Sequence, residues 1–120
     1  MAYFYNTRTV DISTAVVNLA ALAQESRLQI FRLLVQSGPE GLCVSDIGEH
    51  MGIAPATLSF HLKELHRAGL ISSRKASRHI YYAPDFAVMN ALVTYLTENC
   101  CDGAPCDTAC KPKAKKRQSK

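Results

Sequence analysis

The sequence contains no run of apolar residues approaching the roughly 20 that a membrane-spanning helix needs. Its first residues lack the basic-then-apolar pattern of an export signal. It also lacks a nucleophile–base pair, a phosphate-binding loop and a carboxylate dyad, so no enzyme is predicted. We therefore expect a cytoplasmic chain whose five cysteines are reduced and available for thiol chemistry.

Acidic residues are missing from the last ten positions, where six basic residues predict a disordered tail over residues 111–120. The first 110 residues therefore carry eight basic and ten acidic side chains, a net charge of −2. Five of those eight basic residues lie between residues 57 and 79, together with one acid, Glu64. Such a local excess of positive charge is typical of a phosphate-binding surface. These five residues are Lys63, Arg67, Arg74, Lys75 and Arg78.

The length of 120 residues predicts one domain with one modest hydrophobic core. A first helix is predicted from a cap at Ser13 to about Ala23. This helix is apolar on most sides and must be buried, which a partner subunit could achieve. A second helix is predicted from a capping box at Ser26 and Gln29 to Gly38-Pro39. Its expected apolar stripe is Leu28, Phe31, Leu34 and Val35.

The middle of the chain predicts a short strand and two further helices. The apolar run Leu42–Val44 is the strand, and Ser45 is expected to cap a third helix that ends at Gly52. Pro55 lacks an amide hydrogen and so suits the first turn of a fourth helix, which is expected to end at Gly69. The residues predicted to face inward are Ile47, Met51, Leu58, Leu62 and Leu65.

Two β-rich runs follow, at residues 70–74 and 79–83, and they predict a hairpin connected by residues 75–78. Pro84-Asp85 is then expected to start a fifth helix that ends near Asn99. The apolar stripe of that helix is Met89, Leu92, Val93 and Leu96. The whole pattern predicts a mainly α fold with a small β-hairpin.

The third helix, a four-residue turn and the fourth helix have the spacing of a helix-turn-helix, and the hairpin is the expected wing. Polar residues on the fourth helix can exchange hydrogen bonds with base edges, and Lys63 suits a phosphate or a guanine. Ala54 offers no side-chain acceptor to the first helical amides, which leaves them for a DNA phosphate or for water. The predicted DNA-binding residues of the fourth helix are Thr57, Ser59, His61 and Lys63. Those predicted at the hairpin tip, where they would follow the DNA backbone or enter the minor groove, are Arg74, Lys75 and Arg78, with Ser77 beside them.

Three segments resemble successive blocks of one known family: ALAQESRLQIFRLL, PATLSFHLKELHRAGLI and SRHIYYAP. They are similar to the ArsR/SmtB family of metal-sensing repressors over roughly residues 18–96, and residues 59–63 are the most diagnostic part. The resemblance implies a five-helix winged helix-turn-helix homodimer joined through its first and last helices. It also implies two recognition helices over an inverted repeat of operator DNA, and repression that a bound metal or metalloid relieves.

Four cysteines lie within eleven residues just after the fifth helix: Cys100, Cys101, Cys106 and Cys110. Thiolates select soft ions, and Gly103 and Pro105 let the chain bend back on itself. Three thiolates suit trivalent arsenic or antimony, whereas all four suit tetrahedral zinc, cadmium or lead. A redox switch or a metal-free tail are the remaining interpretations. The expected organisation is a DNA-binding and dimerisation domain (1–99), a cysteine-rich ligand segment (100–110) and the basic tail (111–120).

The resemblance also bears on which cysteines bind. The family's zinc site needs two histidines, and residues 85–87, Glu98 and Cys101 supply neither of them, so that site is not expected. The family's arsenic site near the third helix lacks one thiol here, so Cys43 is interpreted as a small buried residue. The run ENCCDGAPC instead resembles the arsenic-binding tail of some family members, which implies Cys100, Cys101 and Cys106 as ligands. Methylarsenite needs two thiolates, so the inducer stays open among arsenite, antimonite and methylarsenite.

Overall fold

The computed structural model describes residues 10–99 of the chain, which form five helices and a three-stranded antiparallel sheet. The helices are α1 (Ile12–Leu22), α2 (Glu25–Ser37), α3 (Val44–Met51), α4 (Pro55–Arg67) and α5 (Phe86–Thr97). The strands are β1 (Leu42–Cys43), β2 (Ile71–Ala76) and β3 (His79–Pro84), with β3 in the centre. This order of elements confirms the predicted winged helix-turn-helix. The predicted ligand segment (100–110) and basic tail (111–120) lie outside the described residues.

Three helices begin earlier than predicted. The Thr14 N–H donates to the carboxylate of Asp11 at 2.9 Å, which caps α1 and lowers the pKa of Asp11. Gln24 caps α2 by accepting from the backbone N–H of Arg27 at 2.9 Å. Cys43 occupies the cap position of α3 because β1 runs directly into this helix. The predicted caps, each two residues later, are therefore wrong for Ser13, Ser26 and Ser45.

The ends of the helices follow the prediction more closely. Glycines follow α2 and α3, as expected. At the end of α4, Gly69 N–H donates to the His66 carbonyl at 2.9 Å and Leu70 N–H donates to the Leu65 carbonyl at 3.1 Å. This pair of hydrogen bonds is a Schellman motif, which satisfies carbonyls that a helix end otherwise leaves open.

The core lies where α2, α3 and α4 meet above the sheet. The three leucines of α4 predicted to face inward are buried, as is Ile47 of α3. In α2 the predicted stripe is wrong at Leu28, which is 43% exposed, because the buried face is centred on Ile30 and Leu34 instead. The side chains with 1% exposure or less are Ile30, Leu34, Ile47, Leu58, Leu65, Leu70 and Asn18.

Large apolar side chains remain exposed on α1 and α5, which contact each other. In α5 only part of the predicted stripe is covered: Leu92 is buried, whereas Val93 and Leu96 are more than half exposed. None of these described helices is long and apolar enough to cross a membrane. The exposed apolar residues of the two helices are Ile12, Val16, Val17, Leu19, Val93 and Leu96.

The hairpin is longer and its turn tighter than predicted. Ala76 pairs with His79, so the connection consists of Ser77 and Arg78 alone rather than residues 75–78. Ser77 takes a positive φ of 58°, as the tight two-residue turns of β-hairpins require. Lys75 therefore belongs to β2, where it pairs with Ile80 one pair before the turn.

Gly41 precedes β1 with a φ of +80°, and a Cβ there would collide with the backbone carbonyl of Tyr82 in β3. Gly38 has a φ of +91°, but a Cβ there would meet nothing within 4 Å. We therefore expect Gly38→Ala to lower the free energy of unfolding by about 1–3 kcal/mol through backbone strain alone. Gly41→Ala should lower the free energy of unfolding by a further ~1–3 kcal/mol, because the added Cβ also collides with the Tyr82 carbonyl.

Urea unfolding of both variants at one protein concentration measures this difference. Equal losses of stability would show that β1 does not approach β3 as closely as the structure has it.

Candidate nucleic-acid interface

The helix-turn-helix consists of α3, a three-residue turn (Gly52–Ala54) and α4, one residue shorter in its turn than predicted. The N–H of Gly52 donates to the Gly48 carbonyl at 2.8 Å, which closes α3. Ala54 is the cap residue of α4 and supplies no side-chain hydrogen bond, as predicted, and Pro55 follows it in the first turn. The amide groups at the start of α4 therefore have no side-chain acceptor at the cap.

The outward face of α4 is fixed by its buried leucines on the opposite side. Thr57, Ser59 and Lys63 are exposed, as predicted for a recognition helix. Ala56 and Phe60 share this face and are also exposed. Thr57 and Lys63 each lie three residues from Phe60, and Ser59 lies four residues before Lys63, so these side chains are spread over the exposed surface of α4.

His61 is not part of this face. Its side chain is 7% exposed, and its buried Nδ1 has no hydrogen-bond partner within residues 10–99. The prediction that His61 points outward to a base edge is wrong, because it lies three residues after Leu58 and four before Leu65. That spacing places it on the buried stripe of the helix, and this signal was available in the sequence.

The tip of the wing presents Lys75, Ser77 and Arg78, all exposed, as predicted. Arg74 is not at the tip, because it pairs with Tyr81 inside the hairpin. Its Nη2 donates to the Glu40 carbonyl at 2.7 Å, and its guanidinium lies 4.8 Å from the centre of the Tyr81 ring. The placement of Arg74 at the tip is therefore wrong. These contacts attach the wing to the loop that follows α2.

Fewer basic side chains are free on this surface than the five that the sequence places between residues 57 and 79. Arg67 forms an ion pair with Glu64 on α4, the one salt bridge within the described part of the chain. Lys63, Arg74, Lys75 and Arg78 are then the cations of the predicted patch that are exposed without an ion-pair partner in residues 10–99. Of these, Arg74 is held by the Glu40 carbonyl and the Tyr81 ring.

Sequence reasoning missed the groove between α4 and the sheet. It has a volume of about 460 Å³, and Ser59 and Lys63 line it together with His66 and Ser73. His66 could have been found by its spacing, since it lies three residues after Lys63 on the same side of the helix. Ser73 reaches the groove only because the hairpin packs near α4 in the folded chain. No pattern in the sequence indicates this position.

The cysteines divide between described and undescribed parts of the chain. Cys43 is half-buried rather than buried, because it lies in an edge strand, with its Sγ 3.3 Å from the Ser45 Oγ. No group of three or more His, Cys, Asp or Glu side chains within residues 10–99 is arranged to hold a metal ion. The predicted ligands Cys100, Cys101 and Cys106, and also Cys110, lie outside the described residues.

Comparison with known proteins shows that the chain is similar to transcriptional regulators. Residues 22–74 match the model of a family described as a helix-turn-helix domain. The transcriptional activator HlyU of Vibrio cholerae is 33% identical over 82 residues, which cover 68% of this chain and 73% of HlyU. The arsenical resistance operon repressor of Bacillus subtilis is 36% identical over 81 residues, with the same coverages. For two further uncharacterised regulators of Bacillus subtilis, the match spans 60% and 88% of their lengths.

A solved structure agrees with these relatives. The homodimeric winged helix-turn-helix domain Mb0332 of Mycobacterium bovis, described as a possible ArsR-family regulator, superposes with a TM-score of 0.59 at 29% identity. The superposition covers 82% of this chain and 92% of that domain.

The exposed cations give a first test of this surface. We expect Lys63→Ala and Arg78→Ala each to weaken operator binding by about 2- to 10-fold for every phosphate contact that is lost, and a dimer loses one contact in each subunit. Each lost contact should also reduce the slope of log affinity against log salt by about 0.9. Fluorescence anisotropy over a salt series measures both quantities.

Arg32→Ala is the matched control, since Arg32 is an exposed cation on α2. Its affinity and slope should equal those of the unmodified protein. If Lys63→Ala and Arg78→Ala behave like this control, neither residue contacts DNA.

Proposed function

The chain belongs to the ArsR/SmtB family of transcriptional regulators, and from that premise we propose that it is an operator-binding repressor released by trivalent arsenicals. Its relatives are DNA-binding regulators and not enzymes. The observation that carries the DNA-binding part of the proposal is that α4 and the turn of the wing both present exposed polar and basic side chains. Together these surfaces match the helix-plus-wing arrangement of proteins that dock on duplex DNA.

The chemistry of this face fits a major-groove contact. Thr57 and Ser59 offer hydroxyl groups that both donate and accept, and Lys63 offers a charged donor. Lys75 and Arg78 on the wing suit the phosphates of the adjacent backbone. The uncapped amides at the start of α4 suit a further phosphate, because a helix N-terminus favours an anion.

The proposed repressor is a homodimer joined through α1 and α5. Six large apolar side chains on these two contacting helices are exposed within one chain. A second copy would remove them from water in a self-complementary interface, which is the usual form of a two-fold contact. The homodimeric state stated for the Mycobacterium bovis domain supports this arrangement.

The proposed inducer site is the cysteine-rich segment, which begins three residues after α5 ends at Thr97. Cys100, Cys101 and Cys106 supply three thiolates for arsenite or antimonite, and two of them suffice for methylarsenite. The arsenical resistance operon repressor among the relatives supports arsenicals as the class of inducer. A ligand gathered at the end of a proposed interface helix can bias how two subunits sit, at a coupling energy of about 1–3 kcal/mol.

A mobility-shift assay with arsenite, antimonite, methylarsenite, zinc and peroxide added separately tests the proposal. Release by the trivalent arsenicals alone supports it. Release by zinc alone would indicate a tetrahedral site that uses all four terminal cysteines, and release by peroxide alone would indicate a redox switch. DNA binding that appears only when one of these compounds is added would contradict a repressor that the compound releases.

Serine variants identify the ligands. We expect Cys100→Ser and Cys101→Ser to bind the operator normally but to stay bound when trivalent arsenicals are added. Cys106→Ser should lose the arsenite response and keep the methylarsenite response, because two thiolates remain. Titration of inducer against operator complex, followed by anisotropy, measures each response.

Cys43→Ser is the control and should respond normally, because Cys43 belongs to no cluster of three or more His, Cys, Asp or Glu side chains within residues 10–99. Normal release from both Cys100→Ser and Cys101→Ser would show that the terminal segment is not the sensing site.

A further inference from the structure

Phe60 is a large apolar side chain in the middle of the face that α4 presents to DNA. It is 54% exposed, and its ring lies beside that of His61 with the centroids 5.7 Å apart. An exposed phenylalanine is ordinary on a protein surface. The position of Phe60 is unusual, because the polar and charged residues proposed to contact DNA lie around it on the same helix.

The neighbours of Phe60 determine what can approach it. Thr57 lies three residues before it and Lys63 three residues after it, so both flank the ring on adjacent turns. Ala56, one turn earlier, is small and leaves the ring open towards the N-terminal end of α4. A partner that covers Phe60 must therefore carry negative charge for Lys63, polar groups for Thr57 and one apolar group for the ring.

The major groove of DNA offers this combination. Its phosphates carry the charge, its base edges carry the polar groups, and its one apolar group is the C5 methyl of thymine. We propose that Phe60 is a specificity-determining residue that selects a thymine in each operator half-site by burying this methyl group. The inference rests on the proposed DNA-binding function and adds the identity of one base that the protein selects.

Replacement of thymine by uracil isolates this contact, because it removes the methyl group and leaves base pairing unchanged. Operator duplexes are first selected from random DNA with the unmodified protein, and each thymine of one half-site is then replaced by uracil in turn. At one position uracil should weaken binding of the unmodified protein about fourfold, the equivalent of one buried methyl group.

Phe60→Ala should bind the thymine operator more weakly, and uracil at that position should cause no further loss. Leu28→Ala is the matched control, because Leu28 is a similarly exposed apolar residue on α2. It should keep the fourfold dependence on the methyl group. Melting temperatures of both variants should equal that of the unmodified protein, since each removes an exposed side chain.

Two results would overturn the inference while leaving the proposed function intact. One is a fourfold methyl dependence that persists in Phe60→Ala. The other is an operator with no thymine position at which uracil weakens binding. Failure of the unmodified protein to enrich any DNA sequence would instead contradict the proposed function itself.

Discussion

The packing of the α4 leucines against α2 and α3 is the constraint on which the rest of the interface depends. Leu58, Leu62 and Leu65 enter the same core cluster as Leu34 and Ile47. Burial of each leucine is worth roughly 1.5–3 kcal/mol, whereas one net hydrogen bond is worth about 0.5–1.5 kcal/mol. The core therefore sets the rotation of α4 about its own axis. This rotation determines which residues of α4 are exposed and can contact DNA.

The two ends of α4 are held differently. Its C-terminal end is attached to both helices of the proposed dimer interface: Asn18 of α1 donates to the Ala68 carbonyl at 2.9 Å, and the N–H of Asp85, the cap residue of α5, donates to the Leu70 carbonyl at 2.9 Å. Its N-terminal end has no side-chain cap. Hydrogen bonds therefore join α1 and the start of α5 to the residues that end the recognition helix, whereas its N-terminal end, proposed to face DNA, has no side-chain cap.

Much of the fold could be predicted from the sequence. The spacing of apolar residues and the glycines and prolines that bound helices are local patterns, which can be recognised without knowledge of the tertiary structure. The element order and the inward leucines of α4 followed from such spacing. Helix starts did not, since Asp11 and Gln24 compete as caps with serines two residues later. Arg74 was misplaced because its partners, Glu40 and Tyr81, are brought to it by tertiary folding. His61 was misplaced because a polar side chain was assumed to face solvent, although its spacing matched the leucines.

Hydroxyl-radical footprinting of the selected operator tests the central claim most directly. A dimer whose α4 helices enter successive major grooves should protect two regions on one face of the duplex, centred about 10–10.5 base pairs apart. Arsenite should abolish both protections together. Protection of a single region, or loss of one region without the other, would contradict a dimeric repressor that is released as a unit.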